Sequence, residues 1–218
     1  MFCSLNERRA YELNLTIPTR GLWTADAKLD TGGAFADTSV TLVLAGLTLV
    51  GAVYRTGSFS GVTWVRLVGG AGGWHQTIGE RFYKNPFGLQ LAPIATDAAN
   101  AVGETVQVAA DVSVGSFYVR RRGPAIRVLN QLAASWYALP SGVTFIGPRT
   151  TPRIASRFDV LSDGTSLARG AVAIATDFPE QWTPGCLFTS PTLTERQASI
   201  VTHRLTPERL RTEVWTSP

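Results

Sequence analysis

Residues Thr38 to Trp74 constrain the fold more than any other stretch of this chain, because three β-type runs separated by short glycine turns lead into Gly69-Gly70-Ala71-Gly72-Gly73-Trp74. Val40, Leu42 and Leu44 share one face of an extended run that Gly46 breaks. Leu47, Leu49, Gly51 and Val53 resume the period of two, and Val62 to Val68 form a third run that ends at the glycines. Upstream, Tyr11 to Ile17 and Leu22 to Leu29 alternate in the same way, with Thr19-Arg20-Gly21 and Asp30-Thr31-Gly32-Gly33 as turns. Five strands are therefore expected before residue 69.

The period changes after the glycines. Trp74, Ile78 and Phe82 fall four apart, as on a helix, and Pro93 to Val102 predicts a short alanine-rich helix stopped by Gly103. Gly123-Pro124 predicts a second helix start, with Ala125, Val128, Leu129, Leu132 and Trp136 on one stripe to lie against a sheet. Strand character returns in 142–147, 157–161, 166–175, 185–189, 198–205 and 211–215, and Asp163-Gly164 is a tight-turn signal. The expected architecture is α+β and mainly β, with two barrel-like antiparallel sheets and a helical segment between them. The corresponding division is a first β region at 1–69, a mixed helical segment at 70–136 and a second β region at 137–218.

Composition limits the function classes. Apolar residues make up 44% and charged residues 17% of a 218-residue chain, so water-facing charge is sparse and some apolar surface must be tolerated or covered by neighbours. The formal charge is +4, and of 20 cations only Lys28 and Lys84 are lysines. Such an arginine excess reflects either codon usage or planar contacts at subunit interfaces. Cys3 and Cys186 are too few for a disulfide framework, and Cys3 lies on a terminus expected to be mobile. The first eleven residues carry Glu7, Arg8 and Arg9 where an export signal needs an apolar segment. The longest apolar run, Val43 to Val53, is too short for a membrane-spanning helix.

Chemical motifs fail in turn. Gly70-Ala71-Gly72 begins a dinucleotide-binding turn, but His75 stands at the third glycine position and no acidic residue follows at the required distance. His75 and His203 have no metal-ligand spacing. No Gly-x-Ser-x-Gly elbow supports a hydrolase, and no close carboxylate pair marks a glycosidase. Glu104 and Asp111 read as turn and surface residues. Arg120-Arg121-Arg122 follows an alternating run, so the three point to opposite faces and suit interface ion pairs better than a phosphate groove. Trp64 and Trp74 join them as interface candidates. No catalytic, cofactor or metal residue is assigned.

Leu22-Trp23-Thr24-Ala25-Asp26, the strands around Gly46 with Gly51-Ala52-Val53, and Val65 to Gly73 resemble hub and baseplate proteins of tailed bacteriophages. Gly103-Glu104, the Gly123-Pro124-Ala125 helix start and the strand at 142–147 continue the same order, so the likeness spans about residues 20 to 150. The resemblance implies a non-enzymatic virion component, assembled in the host cytoplasm, whose barrels join in a ring at the tail tip between tube and spike or fibres. Its partners would be its own copies, a trimer being favoured, and other tail proteins, with DNA met only in passage through the lumen. The rival readings are a carbohydrate- or receptor-binding β module of a virion and a hydrolase with a spatially assembled site.

Overall fold

The computed structural model describes residues 3–30, 34–162, 166 and 169–216. Strands β1 (Cys3–Leu5), β2 (Arg8–Pro18), β3 (Thr24–Leu29), β4 (Ser39–Leu44), β5 (Leu47–Phe59) and β6 (Val62–Gly69) come first. Because β1 pairs with both β4 and β2, the antiparallel order β1–β4–β5–β6–β3–β2 closes on itself as a six-stranded barrel. Alternation drives the closure. Leu13, Leu15 and Ile17, then Ala25, Ala27 and Leu29, then Val40, Leu42 and Leu44, then Val65 and Leu67 are buried, while Asn14, Thr24, Thr41 and Arg66 between them stay exposed.

Three hairpins in the barrel use the same two-residue turn. Asn6-Glu7, Ala45-Gly46 and Ser60-Gly61 all have positive φ at both positions, and their strands pair directly as Leu5 with Arg8, Leu44 with Leu47 and Phe59 with Val62. This turn geometry matches the right-handed twist of the strands it joins. Strand β1 corrects the expectation of a mobile terminus, since Cys3 is buried opposite Leu44. Three residues are too few for alternation to register in sequence, yet β1 supplies the closing pairs of the barrel.

The middle of the chain contains β7 (Thr77–Ile78), β8 (Arg81–Lys84), α1 (Leu91–Asn100), β9 (Val106–Val108), β10 (Phe117–Arg120), β11 (Gly123–Pro124), α2 (Ile126–Leu132), β12 (Trp136–Ala138) and β13 (Thr144–Ile146). Leu91, Ile94, Ala95 and Ala98 of α1 and Val128 and Leu129 of α2 belong to the same continuous core as the barrel interior. Two helical expectations are corrected. Trp74 stands in a single 3-10 turn, while Ile78 and Phe82 lie in β7 and β8, because a spacing of four fits a strand period of two as well as a helix. Gly123-Pro124 pairs with Ile78 and Thr77 as β11, so α2 starts later, ends at Leu132, and leaves Trp136 to β12.

The last strands are β14 (Asp159–Val160), β15 (Ala171–Ala175), β16 (Leu187–Ser190), β17 (Leu193–Leu205) and β18 (Leu210–Thr216). Pairing of β17 with β2, from Ile200 opposite Pro18 to Leu205 opposite Leu13, extends the barrel wall into β18, β15 and β14. A second core forms here around Trp182, Phe188, Val172, Val201 and Val214. Its rings pack edge to face, Phe158 on Trp182 at 4.9 Å and Trp182 on Phe188 at 5.2 Å between centroids. The expected Asp163-Gly164 turn lies outside the described residues, as do Thr31, Gly32 and Gly33 of the earlier turn.

His203 lies on β17 between Val201 of the second core and Leu205 of the first, is fully buried, and bonds Thr212 Oγ1 through Nδ1 at 3.0 Å. Burial pushes its imidazole down to about 4, so the unfolded chain binds a proton from about pH 6.5 downward that the folded chain refuses. Stability is therefore full above that window and falls as pH drops through it, by up to about 3 kcal/mol at pH 4. Urea unfolding at stepped pH should show this slope, and His203→Gln should flatten it between pH 6.5 and 4.

Candidate functional site

The glycine turn after β6 is the feature most suggestive of a ligand, because its backbone amides converge. They converge on Glu104. Its Oε2 accepts the Ala71 N–H at 2.9 Å, and its Oε1 accepts those of Gly73 at 2.7 Å and Trp74 at 3.3 Å. Glu104 follows α1, where its own N–H donates to Ala99 O at 2.9 Å, and its side chain is buried rather than at the surface as expected. An anion-binding turn is thus filled by the chain's own carboxylate.

The glycines themselves are explained by close approach. A Cβ on Gly73 would lie 2.0 Å from Val102 O, and one on Gly70, whose φ is +90°, would lie 2.8 Å from Glu104 Oε2. Trp74, fully buried, donates its indole N–H to Thr144 Oγ1 of β13 at 2.9 Å. The turn therefore binds the end of the barrel to α1 and to the small sheet formed by β12, β13 and β9.

Beside it, β8 and β10 form a two-stranded ribbon with Phe82 opposite Val119 and Tyr83 opposite Tyr118. One face of this ribbon closes on Asp97 of α1. Tyr83 donates its hydroxyl to Asp97 Oδ2 at 2.5 Å, Arg120 Nη1 reaches the same oxygen at 2.6 Å, and Arg81 pairs with Oδ1. Burial raises the Asp97 pKa, but the bonds from Tyr83 and Arg120 and the charge of Arg81 outweigh it, holding the carboxyl below its usual range. Burial, and then the bond to Asp97, push the Tyr83 phenol up to about 12. The other face carries Phe82, Phe117 and Val119, which are 59%, 65% and 39% exposed.

No protein-family model matches the sequence, and no curated protein sequence does either. Solved structures do match. A tail protein from Neisseria meningitidis MC58 superposes with a TM-score of 0.65 at 12% identity, over 100% of this chain and 96% of that one. The 43 kDa tail protein of prophage MuSo2 from Shewanella oneidensis gives a TM-score of 0.68 at 10% identity, over 99% of this chain and 96% of that one. An E. coli protein described as a component of the type VI secretion system, with structural similarity to the T4 bacteriophage tail proteins gp27 and gp5, gives a TM-score of 0.70 at 10% identity. It is matched over 100% of this chain and 77% of its own.

This is a tail-protein fold.

Within the tail-protein fold, the five residues singled out from sequence separate into two groups. Trp74 is core, and Arg120 is spoken for by Asp97, Tyr83 and Gly79 O, so neither has a surface to present to a neighbour. Arg121 and Arg122 are exposed beyond the end of β10, and Trp64 on β6 is 48% exposed with Lys28 Nζ 4.4 Å from its ring. Sequence reading missed Glu104 and Asp97. A polar residue after a helix and one inside it carry no local mark of the amides and guanidinium groups that reach them from remote segments. It also missed the length of β5. Past Ala52 this strand pairs only with β6, and it projects as a hairpin with Tyr54 and Phe59 55% and 78% exposed.

Removing the Glu104 carboxylate leaves three turn amides without their acceptor, two of those bonds being buried. Glu104→Ala should lower unfolding free energy by about 3 kcal/mol or more, and Glu104→Gln by less, since one amide oxygen can still accept. Urea denaturation checks this; a loss below about 1 kcal/mol in the alanine variant contradicts the assignment.

Proposed function

We propose that this chain is a structural, non-enzymatic component of a bacteriophage tail, hub-like in position, whose copies form a ring between the tail tube and the spike or fibres. The observation that carries this reading is the agreement of fold over nearly the whole length of both chains with two tail proteins. A trimer is the favoured ring. The likeness to the E. coli secretion component makes a type VI secretion system the second setting.

Surface chemistry supports the reading. On the exposed side of the sheet the charges stand in pairs, Glu12 with Lys28 at 2.5 Å, Asp26 with Arg66 through two bonds of 2.7 and 2.8 Å, and Glu213 with Arg204 at 3.5 Å. A wall of paired charges presents little net attraction to a phosphate backbone, which suits a channel through which DNA passes without sticking. Among the described residues, no helix is long and apolar enough to cross a membrane. The projecting hairpin, with Tyr54, Phe59 and Trp64 exposed, gives each copy apolar surface that neighbours in a ring would cover.

Size-exclusion chromatography with light scattering tests the ring. A closed oligomer of fixed copy number should persist across the micromolar range, and a monomer throughout that range contradicts the proposal.

A further inference from the structure

The outward face of the β8–β10 ribbon is apolar, and no element among the described residues covers it. Asp97 and its three partners fix the inward face on α1, and the Tyr118 hydroxyl donates to Gln131 Oε1 at 2.9 Å on α2, so the ribbon is held rigid from behind. A two-stranded ribbon is marginal by itself, and this one is anchored on one side while displaying Phe82, Phe117 and Val119 on the other. Phe87, in the turn that follows β8, is 96% exposed. The rim is basic. Lys84, paired with Phe117, and Arg121 and Arg122 are exposed there, against Glu80 as the one exposed carboxylate among the described residues that directly flank the two strands.

That charge selects the occupant. A symmetric contact between two ribbons would set the same cations against each other, which is unfavourable. A different surface of this chain has the complementary chemistry. Phe178 is 46% exposed between Asp177 and Glu180, in the loop that follows β15 and lies against the β4–β5 turn, where the Glu180 carboxylate is 3.2 Å from the Cβ position of Gly46. It is an apolar side chain framed by two carboxylates. A contact that uses two different surfaces of one chain runs head to tail, and such contacts close into a ring when the rotation from copy to copy divides a full turn, and otherwise run on as a filament.

We infer that the basic apolar face of the β8–β10 ribbon docks the Asp177–Glu180 loop of a second copy, Phe178 packing on Phe82 and Phe117 while Asp177 and Glu180 face Lys84 and Arg121. This inference rests on the reading of the chain as a ring component and names the two surfaces that meet. Closure of the ring lets each modest contact reinforce the others.

The test is a cysteine pair in the full chain. With Phe82→Cys and Phe178→Cys together, oxidation should give a covalent ladder on non-reducing gels that ends at the copy number light scattering finds, and each single variant should give none. In parallel, Lys84→Glu with Arg121→Glu should weaken self-association by about tenfold or more, and adding Asp177→Lys should recover part of it. All of these positions are exposed, so thermal unfolding should stay near that of the wild type and separates lost docking from lost folding. An oligomer that forms without the cross-link and ignores the charge reversal overturns the docking and leaves the ring intact. A wild-type chain that remains monomeric overturns the ring reading itself, and the docking with it.

Discussion

The carboxylate of Glu104, received by the amides of Ala71, Gly73 and Trp74, is the contact on which the rest of the structure depends. The strands of the barrel pair with one another, but its end must be joined to the helical layer of α1 and α2 that shares its core. One charged side chain does this by accepting the amides that a tight turn cannot pair internally. The joint requires the backbones to approach more closely than side chains permit. Gly73 stands against Val102 O, and Gly51 and Gly69 leave room for the Trp23 ring, which a Cβ at either position would approach within 2.6 and 2.7 Å. The glycine cluster, which begins a dinucleotide-binding pattern without completing it, is thus a packing device with its anion built in.

Asp97 plays a similar part farther out. It gathers Tyr83, Arg81 and Arg120 from a ribbon that could not hold its own shape, and in doing so turns one face of that ribbon away from water and the other toward it. The interior arrangement of charge therefore decides what the exterior displays: an apolar strip with a basic rim at the ribbon, paired charges on the sheet, and a projecting hairpin. A rigid scaffold with surfaces of distinct chemistry is what assembly needs, because specificity between copies comes from complementary patches held in fixed relation.

Much of this was legible in the chain. The alternation of Val40, Leu42 and Leu44, and of Val65 and Leu67, translates directly into buried barrel positions, because a half-buried strand must alternate. The alanine-rich helix expected over 93–102 forms, set two residues earlier at 91–100. What stayed hidden lacked a local signature. Cys3 to Leu5 is too short to show a period, and Phe82 sits at a spacing shared by helix and strand. The outer half of β5 shows no alternation, since residues 54–59 are exposed on both faces. Arg120 and Arg121 are neighbours of the same type with opposite fates, set by which face of β10 meets Asp97. Glu104 and Asp97 are defined by partners 30 and 23 positions away, respectively, for Trp74 and Arg120, which no window of sequence contains.

Amide hydrogen exchange at Gly73 and Trp74 tests the central claim most directly. Held by a buried carboxylate, these two amides should exchange as slowly as the barrel core, opening only with global unfolding. Exchange as fast as that of the exposed Ser60-Gly61 turn would show the glycine turn open to solvent and its amides free for an outside anion, and would contradict the account.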